Sequence, residues 1–391
     1  MRRCIVVIVM LFAGFNTIAE AQDVRLHGQL RPRFEQRDPN FPMAPLGDVT
    51  MRTRLGVSAV LPEEIRLRLD IQDVLVWGGD AGTPGHLNTA EIHQAFVDVG
   101  ALGAGLAARI GRQELSLGNQ RLISNNNWSQ RGRRFDGVRG TLNEGAIRGD
   151  AFAMRIAERG LGTGANAWFH GAHARLGLTA ADTLHLYGLY NRGRDMAAST
   201  DQFTAGGHTT VRAGGLGFSG EAYVQLGTRL DRDVSAWMAS AGVDYSFDAG
   251  RMALAGDFYS GDADPADGTA KAFDRLFGTG HGFHGYADLF TTLPAHTGQR
   301  GLLDAHLRTQ WHLAERTDLE LNGHLFRSTA TPASASSRFG EEVDVVVRHR
   351  LRTPLMLEAG GSFFRTGPAM TEVRGLADDL LFGYLMMTVT F

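Results

Sequence analysis

Apolar and polar residues alternate along much of the chain. Val24, Leu26, Gly28 and Leu30 interleave with Arg25, His27, Gln29 and Arg31. Ile65, Leu67, Leu69 and Ile71 interleave with Arg66, Arg68, Asp70 and Gln72. The pattern returns late in the chain. Leu303, Ala305, Leu307, Thr309 and Trp311 alternate with Asp304, His306, Arg308, Gln310 and His312, and Leu319, Leu321, Gly323 and Leu325 with Glu320, Asn322 and His324. A period of two belongs to the β-strand, whose successive side chains point to opposite faces. Read this way, the sequence predicts 18 strands, near 24–35, 49–60, 64–76, 88–99, 105–115, 133–142, 146–157, 167–178, 182–192, 209–218, 220–229, 235–247, 250–260, 302–312, 317–328, 340–352, 355–366 and 380–391.

Alternation alone fits a soluble sandwich as well as a membrane barrel. The connections separate the two. Long segments at 36–48, 77–87, 116–132, 193–208, 261–301, 329–339 and 367–379 alternate with short turns at Leu61–Glu63, Asn143–Gly145, Ser219, Phe247–Arg251 and Thr353-Pro354. With the N-terminus in the periplasm, all long connections would lie outside and all short ones in the periplasm, an asymmetry that single-chain outer-membrane barrels show. The expectation is an all-β chain folded as one transmembrane antiparallel β-barrel over residues 22–391, with both termini periplasmic.

The two ends of the sequence support export to that membrane. Arg2 and Arg3, the apolar run Ile5–Ala13 and Ala19-Glu20-Ala21 have the order of a cleaved secretory signal peptide over residues 1–21. That run is too short to span a bilayer as a helix, which takes about 20 residues, and no later stretch approaches 18 uninterrupted apolar residues. An inner-membrane helical protein is excluded. Cys4, the only cysteine, would leave with the leader, so the mature chain would hold no disulfide and no thiolate. At the other end Leu385, Met387, Val389 and Phe391 share one face of the last strand and Thr388 and Thr390 the other. A terminal Phe closing such a strand resembles the signature read by the barrel-assembly machinery.

Composition adds two points. Glycine supplies 50 of 391 residues, well above the usual share of about 7%, and suits turns and curved strands. Of the 39 basic residues only Lys271 is a lysine, in a chain of net charge −3. Arginine offers paired donors to carboxylates and phosphates.

Several segments resemble the alginate export porin family. They are Leu30–Glu35 (LRPRFE), Met51–Val57 (MRTRLGV), Ile92–Asp98 (IHQAFVD), Arg109–Leu115 (RIGRQEL), Asn127-Trp128-Ser129 with Gly132–Arg139 (GRRFDGVR), and Phe273–His281 (FDRLFGTGH) running on to Gly285–Phe290 (GYADLF). The resemblance implies an 18-stranded, monomeric barrel with an arginine-rich constriction that passes an anionic polysaccharide outward through the outer membrane. The chain is short for an alginate exporter, and shorter loops or a missing internal plug would make a simpler pore.

A channel needs a lumen whose charge suits its solute, not a nucleophile. The strand phases turn Arg25, Arg31, Arg33, Arg52, Arg54, Arg66, Arg68, Arg109, Arg139, Arg308, Arg348, Arg350 and Arg352 inward, with Glu35, Asp70, Asp304 and Asp344 among the inward acids. The expected pore lining is Arg52, Arg54, Arg66, Arg68, Arg109, Arg139, Arg308, Arg348 and Arg350 with Asp70 and Asp344. Arg52, Arg54, Arg109 and Arg139 lie in the resembling segments. The other role open to these arginines is to brace the wall through cross-strand acids. Arg112 falls on the opposite phase.

Other constellations carry less. Asp262, Asp264 and Asp267 could offer oxygens to calcium, but Pro265 interrupts a spacing that is not that of an EF-hand, so an acidic surface loop is expected. His281 and His284 sit in a Gly-rich loop and are read as structural; His306 and His312 are placed on the lumen wall. Gly160–Gly164 lacks the helix a phosphate loop needs. No zinc spacing or nucleic-acid stripe appears, and no cofactor is expected. Two functions stay open: export of an alginate-like polysaccharide, and a general or anion-selective diffusion porin for small solutes. A barrel enzyme has no sequence feature gathering a catalytic group.

Overall fold

Wherever the alternation is unbroken, the backbone is extended. The computed structural model describes residues 21–38, 40, 49–78, 87–100, 102–156, 167–194 and 199–391. Residues 1–20 of the expected leader and Gly160–Gly164 lie outside the described residues. Eighteen strands build the wall: β1 (Asp23–Arg37), β2 (Val49–Val60), β3 (Ile65–Val76), β4 (Leu87–Val99), β5 (Leu106–Gln113), β6 (Phe135–Glu144), β7 (Ile147–Ile156), β8 (Trp168–Gly177), β9 (Thr183–Arg194), β10 (Ser199–Ala213), β11 (Leu216–Arg229), β12 (Arg232–Phe247), β13 (Gly250–Tyr259), β14 (Leu302–Ala314), β15 (Thr317–Arg327), β16 (Arg338–Arg352), β17 (Leu355–Thr366) and β18 (Leu380–Thr390). Each is antiparallel to its sequence neighbours. β1 also pairs with β18, Leu30 opposite Val389 and Phe34 opposite Leu385, so the sheet closes and loses its edges. A two-residue strand, Thr269–Ala270, runs parallel to β12 where that strand outreaches β13.

The two faces are inverted relative to a water-soluble sandwich. Leu26 is 78% exposed and Leu254 60%, whereas Arg52 and Asp304 are 0% exposed. Such a surface is stable only where hydrocarbon replaces water outside. Aromatic side chains mark its two borders. Trp237 stacks on Phe258 near one end of the wall at 4.7 Å, and Tyr245, Phe247 and Trp311 cluster near the other. Trp237 and Tyr245 lie on one strand, separated by roughly 27 Å of chain at ~3.4 Å per residue. At a tilt of ~40° that projects to roughly 21 Å, most of the ~25 Å apolar band of an outer-membrane barrel.

The predicted strands are observed, except around the tenth. β10 begins at Ser199, so most of the segment expected as the loop 193–208 is strand. Ser219 is not a turn; it sits within β11, opposite Thr210 and Gly242. The turn is Gly214-Gly215, where Gly214 has φ +62°. Gly206 and Gly207 interrupt the apolar repeat of β10 and concealed it. The sorting of loops is also incomplete. At the end that carries the long connections, β11 and β12 are joined by Leu230-Asp231 alone, both at positive φ (52° and 60°), as a tight hairpin requires.

The structure answers whether loops enter the lumen, which the sequence left open. Residues 114–134 and 260–301 fold into the barrel and bond to each other: Phe277 N donates to Leu122 O (3.0 Å), Ser124 N to Phe277 O (3.0 Å) and Thr279 N to Gln120 O (3.1 Å). Leu115, Leu122, Ile123, Phe273 and Phe290 are buried there. Wall aromatics meet them, with Phe169 4.7 Å from Phe277 and Phe326 4.5 Å from Phe290 between ring centroids. A short helix, α1 (Pro368–Arg374), buries Ala369 and Met370, and Arg374 Nη1 donates to Leu289 O (2.7 Å). The lumen therefore contains a small apolar core of its own.

Candidate solute pathway and its arginine lining

The period of two delivers the arginines of β1 and β2 to the lumen, where the loop 114–134 meets them. Arg31 donates to Asn127 O (2.6 Å), Ser129 O (2.9 Å) and Gln130 Oε1 (2.9 Å). Arg33 donates to Trp128 O (2.8 Å) and lies over the indole at 4.2 Å. Arg52 donates to Gln29 Oε1 (3.0 Å) and Asn127 Oδ1 (3.0 Å); Arg54 donates to Gln72 Oε1 (2.6 Å) and pairs with Glu114 (3.3 Å). A loop tip that folds back exposes carbonyls, and buried carbonyls need donors. Arg52 and Arg54, expected to face solute, satisfy the loop instead. Glu114 at the loop's first position is half-buried, which raises its carboxyl pKa. Hydrogen bonds from His93 and Asn125 and the charge of Arg54 outweigh that and hold it down at about 2.

The remaining expected residues divide into three kinds. Arg68 pairs with Asp70 (2.9 Å), which also takes His27 (2.6 Å) and Gln94 Nε2 (2.8 Å). Arg109 grips Asp98 with two bonds (2.6 and 2.8 Å), and Arg139 pairs with Asp150. Arg348 bridges Glu320 (2.7 Å) and Glu358 (2.8 Å). Arg68 and Asp70 share β3, from which Asp70 reaches His27 of β1 and Gln94 of β4; the other pairs brace adjacent strands. Arg308 instead holds the second inward loop, through Gly282 O (2.7 Å) and Phe283 O (2.5 Å). Asp344 is buried, and its Oδ1 accepts from Tyr286 N (3.4 Å). Arg66 and Arg350 have no ion pair among the described residues.

Among the cavities left between the described residues, two are lined by three or more arginines. One of about 370 Å³, at the loop end, is lined by Arg33, Arg37, Arg131 and Arg133 with Trp128 and His281, and by a single carboxylate, Asp288. One of about 680 Å³, at the turn end, is lined by Arg66, Arg109 and Arg139 with Glu64 and Asp98. Guanidinium groups outnumber carboxylates in both, by four to one and three to two. Arg131 and Arg133 come from the inward loop, so strand phase could not have placed them; the resembling segment that holds Arg133 was the available signal. Arg121 was also missed. It is buried between Glu221 (2.6 Å), Asp257 (2.8 Å) and Tyr259 Oη (2.6 Å), and pins the loop 114–134 to β11 and β13.

Other expectations resolve simply. Arg112 turns outward and pairs with Asp136 (2.7 Å). Asp262 pairs with Arg232 of β12 (2.9 Å), whereas Asp264 Oδ1 accepts from Ala266 N (3.1 Å) and Asp267 pairs with Lys271 within their own loop. His281 stacks on Trp128 at 3.6 Å and bonds Asp288 (2.9 Å). His306 is buried on the lumen wall, whereas His312 is exposed beside Asp318 at the turn end.

This geometry, a closed wall with charged lumen and inward loops, coincides with a sequence match to the alginate export family over residues 21–382. The chain belongs to the alginate export family. Solved structures agree at the level of fold. OccK3 (OpdO) of Pseudomonas aeruginosa is 14% identical, with a TM-score of 0.67 over 95% of this chain and 96% of that one. OccK1 (OpdK) of the same organism is 13% identical, with a TM-score of 0.67 over 95% and 99%. OccAB4 of Acinetobacter baumannii is 9% identical, with a TM-score of 0.65 over 95% and 99%. No curated protein matches the sequence. Family and fold are those of transport porins, and this alginate-export barrel is a channel of the outer membrane.

Proposed function

We propose that the channel conducts anions and that its cargo is a carboxylated sugar, with outward passage of an alginate-like polysaccharide as the main reading. The observation that carries it is the loop-end cavity, which Arg33, Arg37, Arg131 and Arg133 line against one lining carboxylate, Asp288, while Glu35 pairs with Arg33 (2.8 Å) and Arg37 (3.0 Å), so guanidinium groups still outnumber carboxylates. Clustered guanidinium groups between low-dielectric walls raise the local concentration of anions, and their paired donors match a carboxylate. The acids at the turn end keep binding weak enough for release. The protein supplies a path and no catalysis. Its leader is removed after Ala21, its termini face the periplasm, it works as a monomer, and Phe391 presents the last strand to the assembly machinery.

A second reading, diffusion of small anionic solutes inward, is favoured by the two loops that occupy the lumen. OpdK, one of the fold neighbours, has been solved with vanillate. One experiment separates the readings. The purified barrel in a planar bilayer under a KCl gradient should show a reversal potential set by chloride, and its current should be blocked by polyuronate from the periplasmic side. Block by monouronate alone would assign the small-solute reading. Cation preference would remove both.

A further inference from the structure

Four to five strands round the wall from β1, the alternation of β14 places Asp304 and His306 on the same lumenal face, two residues apart. The register of β15 sets His324 directly across from His306. Asp304 Oδ1 lies 2.9 Å from His324 Nδ1 and 3.7 Å from His306 Nδ1. All three residues are buried. Their donor atoms fall within 4.8 Å of one another. For bonds of ~2.1 Å to a central ion, neighbouring ligands stand roughly 3.0–3.4 Å apart. The cluster is therefore within small side-chain movements of a coordination shell.

Two further observations indicate a ligand rather than a closed hydrogen-bond network. First, His306 Nδ1, one of the atoms that would face the ion, is buried without a hydrogen-bond partner. A buried, unpaired polar atom is costly. Second, the cluster has the outer shell that metal-bound imidazole and carboxylate need. His284, from the inward loop 260–301, holds the other oxygen of Asp304 through Nδ1 at 3.1 Å. The Nε2 of His324 faces Asp344 Oδ2 at 3.9 Å, and Asp344 in turn accepts from Tyr286 N of the same loop.

We propose that Asp304, His306 and His324 bind a divalent transition-metal ion, and that the ion clamps the loop 260–301 to β14 and β15. Two imidazoles and one carboxylate select the zinc, cobalt and nickel class. Calcium and magnesium take all-oxygen shells. With the ion held by Nδ1, the Nε2–H of His324 is directed at Asp344, which orients the ring. His284 and Tyr286 carry the state of the site to the loop. The histidine spacing in the loop sequence, which on its own argued against a metal, was uninformative because the ligands come from two adjacent strands. This inference stands on geometry separate from the arginine-lined cavities and does not depend on the cargo.

The test uses the whole barrel in detergent, stripped with chelator and titrated with Co²⁺. Visible absorption bands should grow to saturation at one equivalent and be displaced by Zn²⁺. His306→Gln and His324→Gln should each weaken binding at least 100-fold, while His312→Gln, exposed on the same strand, should leave it unchanged. Each variant is first checked for an intact barrel by its heat resistance. Hydrogen exchange at Tyr286 and Ala287 should slow when Zn²⁺ is added to the unmodified protein. Absence of saturable Co²⁺ binding in the unmodified barrel overturns the site, as does equal binding by both cluster variants. Binding without slowed exchange overturns the clamp.

Discussion

Arg121 shows what a single side chain decides in this lumen. Its guanidinium is the cation for two buried carboxylates, Glu221 and Asp257. Removing one partner of such a group leaves uncompensated buried charge, at a cost of about 3–5 kcal/mol. Arg121→Met should therefore free the loop 114–134 from β11 and β13 without opening the wall. The check is single-channel conductance, expected to rise several-fold, with heat resistance of the barrel retained; unchanged conductance would mean that other bonds suffice to hold the loop. Glu114 gives the same loop a pH dependence. Its carboxyl is held at about 2, below the ordinary 4.5, by His93, Asn125 and Arg54 against the opposing effect of burial. A depressed folded value means that the docking contribution is complete above about 4.5 and is lost as the pH falls through about 2. Hydrogen exchange in residues 114–134, corrected for its intrinsic pH dependence, should be level from pH 7 to 5 and rise below 4.5. Glu114→Gln should flatten that change. Loss of protection already at pH 6 would assign the control to another group.

At the scale of the element, the tenth and eleventh strands separate what pattern can and cannot reveal. Alternation identified β2 and β17 to the residue, because both faces carry consistent side chains. In β10 the pair Gly206-Gly207 leaves two positions without a face, and the turn was displaced to Ser219. The ladder places Ser219 inside β11 and the turn at Gly214-Gly215. A six-residue insertion after Gly214 should leave an assembled, heat-resistant barrel. The same insertion after Ser219 should prevent assembly, because it shifts the register of β11 against both neighbours. Gel mobility before and after heating reads either result. The inward loops were harder to foresee. Phe169 and Phe326 occupy the lumenal phase of their strands, where a water-filled pore would carry polar residues. They were the trace of a covered surface.

At the scale of the molecule, closure depends on β1 meeting β18. Gly28 N donates to Phe391 O (2.8 Å) and Phe391 N to Gly28 O (3.1 Å). A Cβ at Gly28 would come within 2.5 Å of the Phe391 ring and 2.9 Å of Arg54 O. Gly28→Leu should therefore weaken the seam specifically, lowering the temperature at which the barrel opens, whereas Leu26→Val on the same lipid face should change it little. Equal effects would show that the seam is not limiting. The lumen repeats this division of labour on a larger scale. Its braces, such as Arg109 with Asp98 and Arg348 with Glu320 and Glu358, support the wall, and the proposed contact with solute falls to the two arginine-lined cavities.

The amino-acid pattern alone determined the closed all-β class, the number of strands, the phase of nearly every wall residue and the family, because each depends on local periodicity or on short contiguous segments. It did not determine which inward arginines face solute. That choice was made by the loops 114–134 and 260–301, whose carbonyls and carboxylates take up Arg31, Arg52, Arg54 and Arg308. It did not reveal the Asp304, His306 and His324 cluster either, because the contact of His324 with the other two exists only through the register of β15 on β14. Faces follow from a period of two that any strand obeys. Partners follow from which strand and which loop arrive beside that face, and only the closed barrel brings them there.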